Sequence, residues 1–176
     1  FGYHVFDCEH LEVHGGELRM YVGHKDAFLA KPSVAEWLAK EKNLDGKIDA
    51  LAKNTRKSKE KLLEILTQIK KSGKTICGFG ATSKATTVFN YCNIGVDLIP
   101  FVTDNTPIKV GKYYPGVHIP IVSQEVFETG KNDPLKKINY AFLGAWSHFA
   151  EISNYQSWYT EAGGHWLTHV PAPRII

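Results

Sequence analysis

The sequence predicts an α/β fold: a parallel sheet with helices on both faces, preceded by a β-hairpin and a long connecting helix. Three observations carry this. From residue 75 onward, short apolar runs alternate with helix-length segments. One long helical stripe comes before them. Ahead of that stripe, a glycine pair interrupts a stretch with the two-residue alternation of strands.

Residues 1–24 read as two strands. Val5 and Phe6 lead the first, and His14-Gly15-Gly16 makes the turn. Leu18, Met20 and Val22 then alternate with Glu17, Arg19, Tyr21 and Gly23. An isolated hairpin is marginal in water, so this one is expected to belong to a larger sheet. Pro32-Ser33 starts a short helix to about residue 43, with Ser33 as N-cap and Glu36 in the capping-box place. The second helix covers residues 44–72. Positions 44, 48, 51, 55, 58, 62, 65 and 69 form a stripe that is apolar at both ends and polar in the middle. At 1.5 Å per residue it extends about 43 Å, the form of a connector. Lys53, Arg56, Lys57, Lys59 and Lys61 crowd its middle. Without interleaved aromatics they read as a solvated face rather than a nucleic-acid surface.

Gly73 ends this helix. Strands are expected at 75–79, 96–103, 119–122, 138–144 and 166–170. Helices are expected at 85–92, at 123–128 with Ser123 as N-cap, and at 147–162.

Composition narrows the function. The 176 residues are 43% hydrophobic and 22% charged, which gives one proper core and excludes global disorder. No run approaches the roughly 18 apolar residues of a membrane helix, and no signal-peptide pattern opens the chain. Cys8, Cys77 and Cys92 are odd in number and widely spaced, the usage of reduced thiols in a cytoplasmic protein. A net charge of +3 suits an anionic small ligand and demands neither nucleic acid nor membrane. Cys8, His10 and His14 are close, but no second half of a metal site follows. The chain opens at Phe1 and its one methionine is Met20, so it reads as an excised piece of a longer protein.

Ligands of such sheets sit outside the carboxyl ends of the strands. The first loop there is Gly78-x-Gly80-x-x-Ser83-Lys84, with Ala81 and Thr82 between. Its glycines allow close backbone approach, the N–H groups of residues 80–83 open a helix toward an anion, and Lys84 adds a positive charge. Ser83 replaces the third glycine of a dinucleotide fingerprint, and Ala85 replaces the metal-binding hydroxyl of a P-loop. The second loop starts at Asp104, where dinucleotide folds place the acid that holds a ribose diol. Lys109-Val110-Gly111-Lys112-Tyr113-Tyr114-Pro115-Gly116 follows, a glycine-broken segment whose two lysines can clamp a phosphate and whose two tyrosines can stack a ring, with Lys112 and Tyr113 as the expected site residues. The third holds Trp146, a stacking wall, and His148.

Five ordered runs then match a known family. They are His14-Gly15-Gly16-Glu17-Leu18-Arg19; Gly80-Ala81-Thr82-Ser83-Lys84 with Phe89-Asn90-Tyr91-Cys92; Asp104-Asn105 through Lys109, Gly111, Tyr113, Pro115-Gly116 and His118-Ile119-Pro120-Ile121; Ala145-Trp146 with Glu151-Ile152; and Gly163-Gly164 ending in Pro171-x-Pro173. The chain resembles the C-terminal part of S-adenosylmethionine-dependent C-methyltransferases acting on nucleotide-linked keto-deoxysugars. The resemblance implies a closing hairpin of an upstream methyltransferase domain at 1–24, a helical connector at 25–72, and a Rossmann-like C-terminal domain at 73–176 without bound cofactor. It places zinc, S-adenosylmethionine and the catalytic Tyr-x-Glu-His run outside these residues. Asp7-Cys8-Glu9-His10 has Asp where that run needs Tyr and sits too close to His14. This piece alone is therefore expected to be inactive. Its expected partners are the nucleotide sugar and the upstream domain of the same polypeptide. The nucleotide is expected at residues 80–84, Asp104, Lys112, Tyr113 and Trp146, or else in a cleft facing the upstream domain with His14 and Arg19. Asn93 stands where glycine is usual after the loop helix, and it tolerates the same left-handed backbone. Two other classes stay open: a domain of an NAD(P)-dependent oxidoreductase, sharing the glycine loop and Asp104, and a non-catalytic interaction domain.

Overall fold

The computed structural model describes residues 1–13, 15–42 and 44–176, with Pro134 described by its backbone. The chain forms two compact units, Phe1–Asn54 and Thr55–Ile176.

In the first unit, β1 (Tyr3–Leu11) and β2 (Glu17–His24) pair antiparallel. The register shifts between Val5 and Asp7, leaving Phe6 out of the ladder, and its ring stacks on Phe28 at 4.5 Å. The helix α1 (Pro32–Lys40) is capped by the backbone of Lys31, with no side-chain cap. Ser33, expected as the cap, sits inside α1, and its hydroxyl donates to Asp7 Oδ1 at 2.7 Å. Asp7 is also held by Lys31 at 2.6 Å, while Glu9 takes Arg19 at 3.2 Å and the Tyr21 hydroxyl at 2.8 Å. Asp7 and Glu9 thus knit the hairpin to its surroundings. The predicted turn residue His14 lies outside the described residues.

The helix α2 (Leu44–Lys71) begins in the first unit and ends in the second. Only the C-terminal end of its apolar stripe is buried, at Leu62, Ile65, Leu66 and Ile69. Leu44, Ile48 and Leu51 are exposed. Lys59 donates to the Tyr91 carbonyl at 2.9 Å and lies over the Tyr91 ring, so one of the crowded basic residues is a tether.

The second unit carries a six-stranded sheet: β3 (Ile76–Phe79), β4 (Val102–Asp104), β5 (Ile121–Ser123), β6 (Tyr140–Leu143), β7 (His165–Thr168) and β8 (Arg174–Ile175). Its order is β5-β4-β3-β6-β7-β8. All neighbours are parallel except β7 and β8. The chain order reverses between β3 and β6, the crevice-forming point of doubly wound sheets. The helices are α3 (Ser83–Cys92), α4 (Glu125–Asn132), α5 (Phe149–Tyr155) and α6 (Ser157–Glu161).

Alternation along the strands builds two cores. Ile76, Phe142 and Leu167 join α2, Phe89 of α3 and Ile94 on one face. Cys77, Phe79, Ala141, Leu143 and Trp166 join Phe127 of α4 and Tyr159 of α6 on the other.

The expected α/β sheet is present, with four differences in its parts. The strand at 96–103 shrinks to three residues, because Leu98 and Ile99 turn back to the Gly95 carbonyl and Pro100 has no N–H to give. The fourth helix segment begins two residues later than expected and runs through Gly130, where a Cβ would come within 2.8 Å of Lys137 Cα. The helix expected at 147–162 is a 3-10 turn at Trp146–His148 followed by α5 and α6, interrupted at buried Gln156. The strand β8, not expected, returns antiparallel after Pro171 and Pro173. Asn93 takes the left-handed conformation at the end of α3, as its side chain allows.

Candidate functional site

Three loops meet at the carboxyl ends of β3, β4 and β6. Gly80 has φ +85°, and a Cβ there would reach 3.0 Å from that of Ala145. A Cβ on Gly144 would stand 2.2 Å from the Gly80 carbonyl oxygen. Both glycines let the β3 and β6 loops touch, backbone on backbone. Thr82 fixes the contact: its hydroxyl donates to the Gly144 carbonyl at 2.8 Å and accepts from the Ala85 N–H as N-cap of α3.

Asp104 ties in the third loop. It is 6% exposed. Its Oδ2 accepts from the Ala81 N–H at 2.7 Å and from Lys109 Nζ at 3.2 Å, and its Oδ1 accepts from the Thr106 N–H at 2.8 Å. Burial pushes this carboxyl up, but the hydrogen bonds from Thr106, Ala81 and Lys109 together hold it below its ordinary 3.8. Tyr114 closes the loop from below, its hydroxyl donating to the Gly80 carbonyl at 3.4 Å. Burial raises that phenol well above its ordinary value.

These bonds sort the N–H groups of the glycine loop. Gly80 donates to the Thr103 carbonyl, Ala81 to Asp104, and Thr82 to the Gly80 carbonyl. Ser83 and Lys84 stand at the first two positions of α3, where helix geometry leaves N–H groups pointing outward. Lys84 Nζ lies 5.1 Å from the centre of the Trp146 ring, so the two predicted site residues meet in a cation–π contact. Behind Trp146 is His169, edge-on at 6.5 Å and stacked on Phe142 at 5.4 Å. Burial pushes its imidazole down to about 4.

On the Asp104 side the loops enclose a cleft of about 460 Å³. Phe79, Gly80 and Thr82 line it from the β3 end. Asp104, Asn105, Thr106 and Lys109 line it from the β4 end, and His148, Glu151, Ile152, Tyr155 and Gln156 from the β6 end. Gln156 Nε2 donates to Glu128 at 3.1 Å, and its Oε1 accepts from Trp158 at 2.6 Å.

Of the residues predicted for the site, Gly80, Thr82 and Asp104 line the cleft, while Lys84 meets Trp146 beside it. Ala81 is buried, holding Asp104. Lys112 and Tyr113 are not part of the lining, and Tyr113 is 63% exposed. Arg19 belongs to the first unit and pairs with Glu9. His14 lies outside the described residues. The sequence offers Lys109 beside Lys112 as a phosphate clamp and does not single out Tyr155 or Gln156; Lys109, Tyr155 and Gln156 all line the cleft, and Lys112 does not. Lys109 shared its loop with Lys112, but only folding shows which lysine turns inward. Among the described residues, no group of three or more His, Cys, Asp or Glu is placed to hold a metal ion. None of the described helices is long and apolar enough to cross a membrane.

Sheet order, the touching glycine loops and the cleft beside them define a doubly wound domain of the Rossmann-like class. The family model described as the C-methyltransferase C-terminal domain matches residues 12–171. The chain belongs to that family. A curated relative, C-methyltransferase NovU of Streptomyces niveus, is 31% identical over 180 residues, covering 99% of this chain and 41% of that protein. The chain thus spans about two-fifths of its relative's length.

Proposed function

We propose that this chain is the substrate-recognising C-terminal domain of an S-adenosylmethionine-dependent C-methyltransferase acting on a nucleotide-linked keto-deoxysugar. The observation that carries the reading is Lys84 over Trp146 at the start of α3, beside the outward N–H groups of Ser83 and Lys84. A diphosphate placed there meets a formal charge, two donors and the positive end of a helix. Trp146 holds the ammonium near the loop and offers a flat wall to the sugar.

Methylation beside a ketone needs a base for the acidified C–H and a methyl donor for the enolate that results. We assign the base, the donor site and the zinc to parts of the longer polypeptide outside these residues. The role left to this domain is to bind and orient. The 176 residues alone are expected to show no methyl transfer, and turnover by them would sink the assignment.

In the longer enzyme, Lys84→Ala is expected to weaken nucleotide-sugar binding roughly tenfold to a hundredfold, the loss of one charge-assisted contact. Unchanged affinity would make the loop purely structural. Parallel titration with NAD separates the oxidoreductase reading. Ser83 stands where the dinucleotide fingerprint has its third glycine, which lets helix and strand pack closely, so NAD is expected to bind at least tenfold more weakly than a deoxythymidine-diphosphate sugar.

A further inference from the structure

The Lys84–Trp146 pair has a third neighbour, His169. We infer that His169 is a sugar-recognising residue, a neutral imidazole whose Nε2–H donates to a hydroxyl or ketone oxygen of the sugar lying against Trp146. This inference rests on the proposed function and adds a specificity contact on the sugar side of the diphosphate.

Strand alternation sets its place. Phe142 of β6 and Leu167 of β7 belong to the core face that carries α2 and α3. His169 follows Leu167 by two residues, just past the carboxyl end of β7, and stacks on Phe142 at 5.4 Å with the ring planes 14° apart. Lys84 lies in the first turn of α3, on that same face. The 460 Å³ cleft is lined by Phe79 and Ile152, which belong to the opposite core face. His169 therefore stands apart from that cleft, with Lys84 and Trp146, at the end of the sheet where ligands bind.

Its two ring nitrogens are unequal. Nδ1 is sealed from solvent and has no hydrogen-bond partner. Nε2 has no partner among the described residues either, but it is not sealed. A neutral imidazole carries its one proton on either nitrogen. A proton on Nδ1 would bury a donor with no acceptor, the rarer and costlier arrangement, whereas a proton on Nε2 stays within reach of water. The ring thus hides its acceptor and shows its donor. Burial pushes its pKa down to about 4, so at neutral pH it offers a hydrogen bond without a charge. The diphosphate is served by the ammonium of Lys84, and a neutral donor matches the uncharged oxygens of a sugar.

Packing holds the donor in place. Phe142, itself fully buried, stacks on the ring, and Trp146 meets it at 6.5 Å with the planes 86° apart. A ring held by two neighbours loses little freedom when a ligand bonds to it. A flat apolar wall with one neutral donor beside it suits a sugar, whose C–H face packs on an indole while a single oxygen sets the orientation.

The test is calorimetric titration of the longer enzyme with deoxythymidine diphosphate and with deoxythymidine-diphosphate 4-keto-6-deoxyglucose. His169→Phe keeps a flat ring on Phe142 and removes the donor. It is expected to weaken the nucleotide sugar about threefold to tenfold, the loss of one neutral hydrogen bond, and to leave the diphosphate unchanged. His169→Gln carries an amide N–H at a similar reach and is expected to restore most of that affinity. Melting curves check that both variants remain folded. Nitrogen NMR of the 176-residue chain reads the tautomer, with the proton expected on Nε2 at pH 7. A proton on Nδ1, or wild-type affinity of His169→Phe for the nucleotide sugar, overturns the inference and leaves the reading of Lys84 standing. Equal losses in the Phe and Gln variants, or a loss shared by both ligands, make His169 a packing residue and overturn it too. If wild type binds neither ligand, the proposed function fails and takes the sugar contact with it.

Discussion

Asp104 occupies the place where a dinucleotide fold offers a carboxylate to its ligand, yet three of its acceptor positions serve Ala81, Thr106 and Lys109 of its own chain. Its first duty is to hold the loops. Asp104→Ala leaves two backbone N–H groups without an acceptor and is expected to cost on the order of 3 kcal/mol, read from urea unfolding. Two residues of the second unit's strand ends, His169 and Asp104, contribute to the response to acid. His169 titrates near 4 when folded and near 6.5 when unfolded, so the unfolded chain binds the extra proton between those values. The contribution of His169 is complete above pH 6.5 and is lost as pH drops toward 4. His169→Phe is expected to flatten this decline in melting temperature measured across that window. Asp104 acts lower. Its folded pKa is below the ordinary 3.8, so its contribution persists above that value and is lost as pH falls through the depressed one.

At the scale of elements, the loops after β3 and β6 work as one part because two glycines allow backbone contact. Gly144→Ala would drive a Cβ to 2.2 Å from the Gly80 carbonyl, and backbone yields less readily than a side chain. The variant is expected to lose about 2 kcal/mol or more, by overpacking together with the lost Thr82 bond. Differential scanning calorimetry checks the loss. The nick at Gln156 has a similar logic. The Gln156 side chain donates to Glu128 and accepts from Trp158, and these hydrogen bonds hold the chain at the break between α5 and α6.

For the whole molecule, the burial map is uneven. Every member of the two apolar clusters lies at residue 62 or beyond. The first unit relies on ion pairs, a few ring contacts and a two-stranded ladder, a combination that is marginal in water. Residues 55–176 produced alone are expected to unfold cooperatively in urea with a midpoint close to that of the whole chain. Residues 1–54 alone are expected to give no cooperative transition by circular dichroism. Equal cooperativity in both pieces would overturn this division of stability.

Strand–helix alternation, the glycine pair in the hairpin and the 44–72 stripe were readable because each is a local period, fixed by how side chains leave a strand or a helix. The glycine loop, Lys84 and Trp146 were readable for the same reason: each sits at a strand end, where the ligand rule points. Which of Tyr113 and Tyr114 goes inside, and whether Asp104 faces a ligand or its own backbone, are settled by contacts across 23 or more residues, Tyr114 to Gly80 and Asp104 to Ala81, and Lys109 rather than Lys112 turns to the cleft because it pairs with the Asp104 so placed. Local pattern also overran at 96–103 and 147–162. There a turn onto Gly95 and a buried hydrogen-bond network at Gln156 outweigh propensity, because an unsatisfied polar group in the core costs more than a few residues of regular structure return.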